Sequence, residues 1–271
     1  MTSERTQHET ALRLVRRAPA GHALMAPRCC GPQEMEDSAP AWSTRADTDP
    51  RRAQLLEVLV FLFLIVPSML LSFLVVRQGG LGFVVTAWAT IGRDLGLVSL
   101  ILFFLWRNGE PVARIGWTLK NGGREALLGL GLFGLLFVGT IVLESLLRSA
   151  GVPPPATPRP RFLTATGPTE LGLAVALVAV VAVAEETIFR GYLILRFSAA
   201  IRRPAVAVLL SAIVFSLGHG YEGTSGVITV GVMGLGLAIV YVWRRSLLAP
   251  IVMHFLQDFI GIILLPLLGS R

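Results

Sequence analysis

Charged residues are scarce in this chain. They make up 15% of 271 residues, against about 25% in soluble domains, which argues against an ordinary water-soluble enzyme. Lysine is nearly absent: Lys120 is the only one, so arginine carries the positive charge. Cysteine is confined to the adjacent pair Cys29 and Cys30, which offers neither a disulfide framework nor a metal-site spacing. No His-Glu-x-x-His helix and no Gly-x-Ser-x-Gly elbow occurs, so the usual zinc-protease and serine-hydrolase signatures are missing. No internal repeat is evident, which weakens a transporter built from duplicated halves.

What the chain has in excess is apolar surface, 54% of residues, and that excludes disorder over its whole length. The formal net charge of +7 could suggest nucleic acid, but its distribution points elsewhere. Residues 1–52 hold eight Arg against seven acids, and the excess sits in short connections between apolar runs. That is the pattern of a membrane protein facing the cytoplasm. The expected partner is therefore the lipid bilayer, with no nucleic acid.

Residues 1–52, with scattered prolines and no sustained period, read as a disordered cytoplasmic tail without a signal-peptide pattern. Translation from Met35 is an alternative start. From residue 53 on, apolar runs dominate. A membrane-crossing helix needs about 20 mostly apolar residues. The runs Leu55–Val76, Ala126–Leu147, Leu171–Phe197, Pro204–His219, Gly226–Trp243 and Leu247–Leu268 qualify, with Pro67 as an expected kink. Trp88–Trp106 is a weaker seventh, interrupted by Arg93 and Asp94, and a short eighth element at Leu81–Ile91 is the variant. Several tryptophans fall near run ends, as an interfacial belt would. The proline-rich connection Ser149–Thr169 cannot be regular helix.

The fold class expected is thus all-α: a polytopic membrane bundle of about seven helices, eight in the variant. With the N-terminus inside, seventeen Arg and Lys fall in inner segments and five in outer ones, which supports that orientation, with the C-terminus outside after seven spans. The organisation expected is a tail over residues 1–52, N-terminal membrane helices over 53–169 and a catalytic membrane core over 170–268. The location expected is a multi-pass position in a cell membrane, of bacterial plasma-membrane type.

Ionisable residues inside a bilayer cost at least about 2.5–3.5 kcal/mol each at its centre and usually have a task. Here they gather late in the chain: Glu185, Glu186 and Arg190 on one helix, His219 on the next, His254 and Asp258 on the last. At about 1.5 Å per residue from the inner helix ends they reach overlapping depths of roughly 10–22 Å. That convergence predicts one shared site, expected in a wet hollow beneath the inner surface. Glu186 and Arg190 stand four residues apart and can pair, which leaves Glu185 on another face without that partner. His254 and Asp258 share a face in the same way, so Asp258 can orient His254. Glu185 is then a general-base candidate. The plainer alternative is that Glu186–Arg190 is only an interhelical lock and His219 a satisfied core histidine. Asp94 is expected to pair locally with Arg93.

The segment from Ala184 to Leu193, with Glu185, Glu186 and Arg190, resembles the EExxxR motif of the CAAX-protease and bacteriocin-processing family, also called Abi or CPBP. Phe215 to His219 is similar to its FxxxH motif, and His254 to Asp258 to its His-x-x-x-Asn or Asp motif. The resemblance spans roughly residues 170–265. It implies an integral-membrane endopeptidase acting on a protein or peptide substrate at the membrane. Eukaryotic members remove the last three residues of prenylated CAAX proteins. Carried over by position, Glu185 would activate the hydrolytic water and His219 assist it. Glu186 and Arg190 would support the site, and His254 with Asp258 would stabilise the oxyanion. Asp258 stands where the family commonly has Asn, which suits a role in orienting His254 better than amide-type donation.

The family's conventional metalloprotease label leaves two mechanisms open. Glu185, His219 and His254 could hold a divalent metal such as zinc with a position left for water. Alternatively, a glutamate-activated water works with no metal, and the missing His-Glu-x-x-His spacing favours this second form. Two other functions compete: a proton-coupled transporter, since buried Glu, His and Arg also make relays, and a non-catalytic immunity or scaffold protein of the same fold. Polar groups clustered in one corner, not strung along a path, speak against the transporter.

Overall fold

The computed structural model describes residues 50–77, 81–153 and 163–269, all within one compact unit, Thr48–Arg271. The tail readings, including Met35 and the cysteine pair, lie outside the described residues, as does the proline-rich stretch 154–162. The described residues are helical, with no strand. In order they form α1 (Pro50–Arg77), α2 (Phe83–Arg107), α3 (Gly122–Ser149), α4 (Pro168–Glu185), α5 (Ile194–Ile201), α6 (Pro204–Leu217), α7 (Gly223–Arg244), α8 (Leu248–Asp258) and α9 (Leu265–Gly269). A π-helical segment, Glu186–Leu193, joins α4 to α5 into one rod, and another, Phe259–Leu264, joins α8 to α9. Short 3₁₀ turns lie at Val112–Ile115 and Gly220–Glu222.

Every apolar run of the sequence is a helix, and six helices among the described residues are long and apolar enough to cross a membrane. The chain is a multi-pass membrane protein. Two expectations change. α6 has 14 residues, about 21 Å at the helical rise, short of the roughly 30 Å hydrocarbon core, and it stops before His219. Leu81–Ile91 is no separate element, because α2 starts at Phe83 and runs through the charged interruption. It can do so because Arg93 and Asp94 pair at 2.8 Å, with Asp94 buried.

Proline sets two helix starts: Pro168 and Pro204 sit in the first turns of α4 and α6, where a missing N–H costs nothing. Pro67 lies inside α1. α3 packs along α8, α2 along α4, and α6 along α7. The main core joins Phe61 of α1, Ile101 and Leu105 of α2, Tyr192, Phe215 of α6 and Leu237 of α7. Leucines such as Leu127 and Leu135 of α3 stay exposed, as lipid-facing side chains should when the solvent is hydrocarbon.

The glycines of α7 face inward. A Cβ on Gly234 would stand 2.7 Å from the Phe215 ring, and one on Gly236 3.2 Å from Leu136. The small-residue face thus serves packing within the chain.

The helix ends carrying most of the basic residues are tied together by ions. Glu57 of α1 meets Arg107 at 2.9 Å and Arg196 at 3.1 Å, and it accepts hydrogen bonds from Asn108 at 2.7 Å and Tyr192 at 3.3 Å. Arg196, fully buried, also reaches Glu110 at 2.8 Å and lies 5.0 Å over the Tyr192 ring. Nearby, Arg244 of α7 pairs with Glu125 of α3 at 2.6 Å, and the Leu247 amide donates to the Gly116 carbonyl. α1, α2, α3, α5 and α7 are thereby stitched at one end of the bundle.

Candidate functional site

The charged cluster of α4 lies where the helix widens. Glu185 ends α4 and Glu186 opens the π-helical segment. π-turns in helices recur at functional sites because the extra residue per turn re-aims side chains. Glu186 is completely buried, and its Oε1 receives Arg190 Nη1 at 2.7 Å. The same oxygen receives His254 Nδ1 from α8 at 2.8 Å. One carboxylate therefore binds the arginine of its own rod and the imidazole of another helix. The pairing of Glu186 with Arg190 follows the sequence expectation. The bond from His254 to Glu186 was not foreseen, because local spacing pointed to Asp258 alone.

Arg190 is held on three sides. Beyond Glu186, its Nη2 donates to the Gly234 carbonyl at 3.3 Å, and its guanidinium stacks 4.2 Å from the Phe215 ring centroid. Gly234 permits this approach: a Cβ there would come within 3.2 Å of Arg190 Nη2.

His254 is buried, and its second nitrogen looks toward the acids. Nε2 lies 3.5 Å from Asp258 Oδ2 and 3.8 Å from Glu185 Oε2. Asp258 and Glu186 thus flank the ring from opposite edges. Glu185 Oε2 is buried without a hydrogen-bond partner, and such an atom is costly unless it has work to do. His219 sits in the turn after α6, with Nδ1 3.1 Å from the Phe215 carbonyl. A carbonyl only accepts, so Nδ1 is the donor in this contact. The Phe215 ring spaces the two imidazoles, 4.9 Å from His219 and 6.0 Å from His254.

Glu185, His219, His254 and Asp258 all line one cavity of about 840 Å³. Glu186 and Arg190 stand behind its wall. The six predicted residues therefore divide into four that face a shared space and two that hold one of those four. The cavity contradicts one expectation. Its wall includes Leu81 before α2, Glu144 and Arg148 in the last turns of α3, and Glu222 before α7. These belong to the ends opposite the arginine-rich connections, so the hollow does not lie beneath the inner surface in the predicted orientation. Residue counting gave depths from one end but not the side on which packing leaves space.

Sequence reasoning also missed wall residues. The pairing of Arg93 with Asp94 is as expected, yet both line the cavity, and Asp94 Oδ2 is buried without a partner. An ion pair interrupting an otherwise apolar run was the available signal. Tyr221 and Glu222, just after His219, complete this side.

Among the described residues, no group of three or more His, Cys, Asp or Glu side chains is arranged to hold a metal ion. The set Glu185, His219 and His254 forms no metal cage here. The arrangement does not fit the metalloprotease label, and no step below is routed through a metal.

Residues 167–260 match the sequence model of a family described as type II CAAX prenyl endopeptidase Rce1-like. The matched segment carries all three motifs, and the match agrees with the family resemblance read from them. It supports a CAAX-type intramembrane endopeptidase in general terms. No curated protein matches the chain, and neither does any solved structure.

Proposed function

We propose that the chain is an intramembrane endopeptidase that hydrolyses a peptide bond with a water activated by Glu185. The observation that carries this reading is the buried Glu185 Oε2, which makes no hydrogen bond and faces His254 Nε2 at 3.8 Å, in a cavity shared with His219, His254 and Asp258. Glu185 accepts a proton as the water oxygen attacks the scissile carbonyl carbon. The Nε2 of His219 accepts a hydrogen bond from the same water and aims it. His254, with its Nδ1 proton on Glu186, turns Nε2–H toward the developing oxyanion, and Asp258 orients the ring. The tetrahedral intermediate collapses with cleavage of the C–N bond. Glu185 returns its proton to the leaving amine, and the other product is a carboxylate.

Glu186 and Arg190 are positioning residues. Together they neutralise one another in a region where a lone charge is expensive, and Glu186 fixes the orientation of the His254 ring. General-base catalysis of this kind contributes about 10²–10⁴ in rate.

A transporter needs a path through the bundle. The cavity wall stops at Leu97, Met233 and His254, and the ends beyond it are stitched by the Glu57 and Glu125 ion pairs. This favours a dead-ended reaction chamber. The test compares cells carrying the native chain with cells carrying Glu185→Gln, reading membrane and released peptides by mass spectrometry alongside protein abundance. Cleavage products that vanish while abundance holds support the proposal. Identical peptide profiles at equal abundance overturn it.

A further inference from the structure

The cavity occupies only one half of the bundle's length, and that half can be assigned to a membrane side. Its wall comes from the last turns of α3 (Glu144, Arg148), the turn between α6 and α7 (His219, Glu222) and the start of α2 (Leu81, Thr86). Its floor stops at His254, about 9 Å from the start of α8, and at Met233, about 16 Å from the end of α7, at the helical rise. The wall reaches the surface at the first set of ends, where the Glu144 and Arg148 side chains are 52% and 63% exposed.

The opposite ends are shut. There Glu57, Glu110, Arg107 and Arg196 bind one another, and Arg244 binds Glu125. Among the described residues, those shut ends also concentrate the basic residues, eleven Arg and Lys against two, Arg77 and Arg148, at the open ends. Basic residues flanking spans stay on the cytoplasmic side of a membrane.

We infer that the reaction chamber opens on the non-cytoplasmic face, so that the bond it cleaves belongs to a peptide segment displayed on that side. This rests on the endopeptidase reading for the word cleaves, but the geometry of access stands apart from it. A segment in the cytoplasm would meet the ion-paired end. A segment at the far surface, free or emerging from the bilayer, meets the wall formed by Glu144, Glu222 and Leu81 and reaches Glu185 from there.

The experiment uses the full chain with Cys29 and Cys30 replaced by Ser. Single cysteines are placed in the cavity at Thr86→Cys, Thr90→Cys and Thr229→Cys, and at the shut end at Lys120→Cys. A membrane-impermeant sulfonated maleimide is added to right-side-out and to inside-out vesicles, and labelling is read by mass shift. The cavity cysteines should label at least about ten times faster from the right-side-out face, and Lys120→Cys from the inside-out face only. Cavity labelling from the inside-out face, or from neither face, overturns the inference. Three positions on two helices guard against one variant that fails to fold. Labelling requires no catalysis, so repeating it in the Glu185→Gln background separates the two readings. Loss of cleavage with unchanged labelling supports both. Unchanged cleavage with unchanged labelling sinks the endopeptidase and leaves the access route standing.

Discussion

Two buried arginines on one rod show how the two ends of this molecule differ. Arg190 and Arg196 are six residues apart, and both are buried. Arg196 joins Glu57 and Glu110 from other parts of the chain and does not line the site cavity. Arg190 joins Glu186, which in turn holds His254, whose other nitrogen faces open space. The same chemistry closes one end of the bundle and braces the cavity wall at the other. The difference lies in what stands next to the ion pair: packed helix ends around Arg196, and a cavity lined by Glu185 and His254 beside Arg190.

That contrast can be broken in graded steps. The largest effect is expected from Arg190→Met, which strands the Glu186 charge in the core. Breaking a buried pair from one side costs about 3–5 kcal/mol, and activity should fall with stability because Glu186, the acceptor of His254 Nδ1, is no longer held by the guanidinium. Thermal unfolding in detergent and peptide cleavage both check this. Arg196→Met should cost a similar amount of stability, but the folded fraction should keep its turnover number, since nothing it touches lines the cavity. Gly234→Ala comes next. Its added methyl meets Phe215 at 2.7 Å, and overpacking of this kind costs about 1–3 kcal/mol. The guanidinium should shift with the ring, and turnover should drop more than substrate affinity. Arg244→Gln is the smallest. Its partner pair is partly exposed, and such pairs are worth about 0–1 kcal/mol, so a slight change in unfolding midpoint with unaltered cleavage is expected.

The sequence made the helices legible because a run of about 20 apolar residues has one economical conformation in lipid. It made Glu185, Glu186, Arg190, His219, His254 and Asp258 legible because charge inside such runs is rare. The pairing within one helix was also legible, since four-residue spacing fixes a face. Contacts between helices were not. Nothing in the spacing of α8 announces that His254 Nδ1 turns to Glu186, because that depends on how two rods cross. Arg196 counted as one more basic residue near a helix end, although it is the centre of the ionic closure. The end of the bundle at which the hollow lies was not legible for the same reason: depth along a helix is a property of the chain, but empty volume is a property of packing.

The central claim is that the hollow end does chemistry and the stitched end holds the molecule together. The measurement that tests it most directly sets Glu185→Gln beside Glu57→Gln, reading turnover of a cleaved peptide and unfolding midpoint on each purified protein. Glu185→Gln should lose about 10²–10⁴ in turnover with its midpoint unchanged, and Glu57→Gln should lose midpoint with turnover per folded molecule intact. Turnover that survives Glu185→Gln, or that collapses in folded Glu57→Gln, would contradict the account.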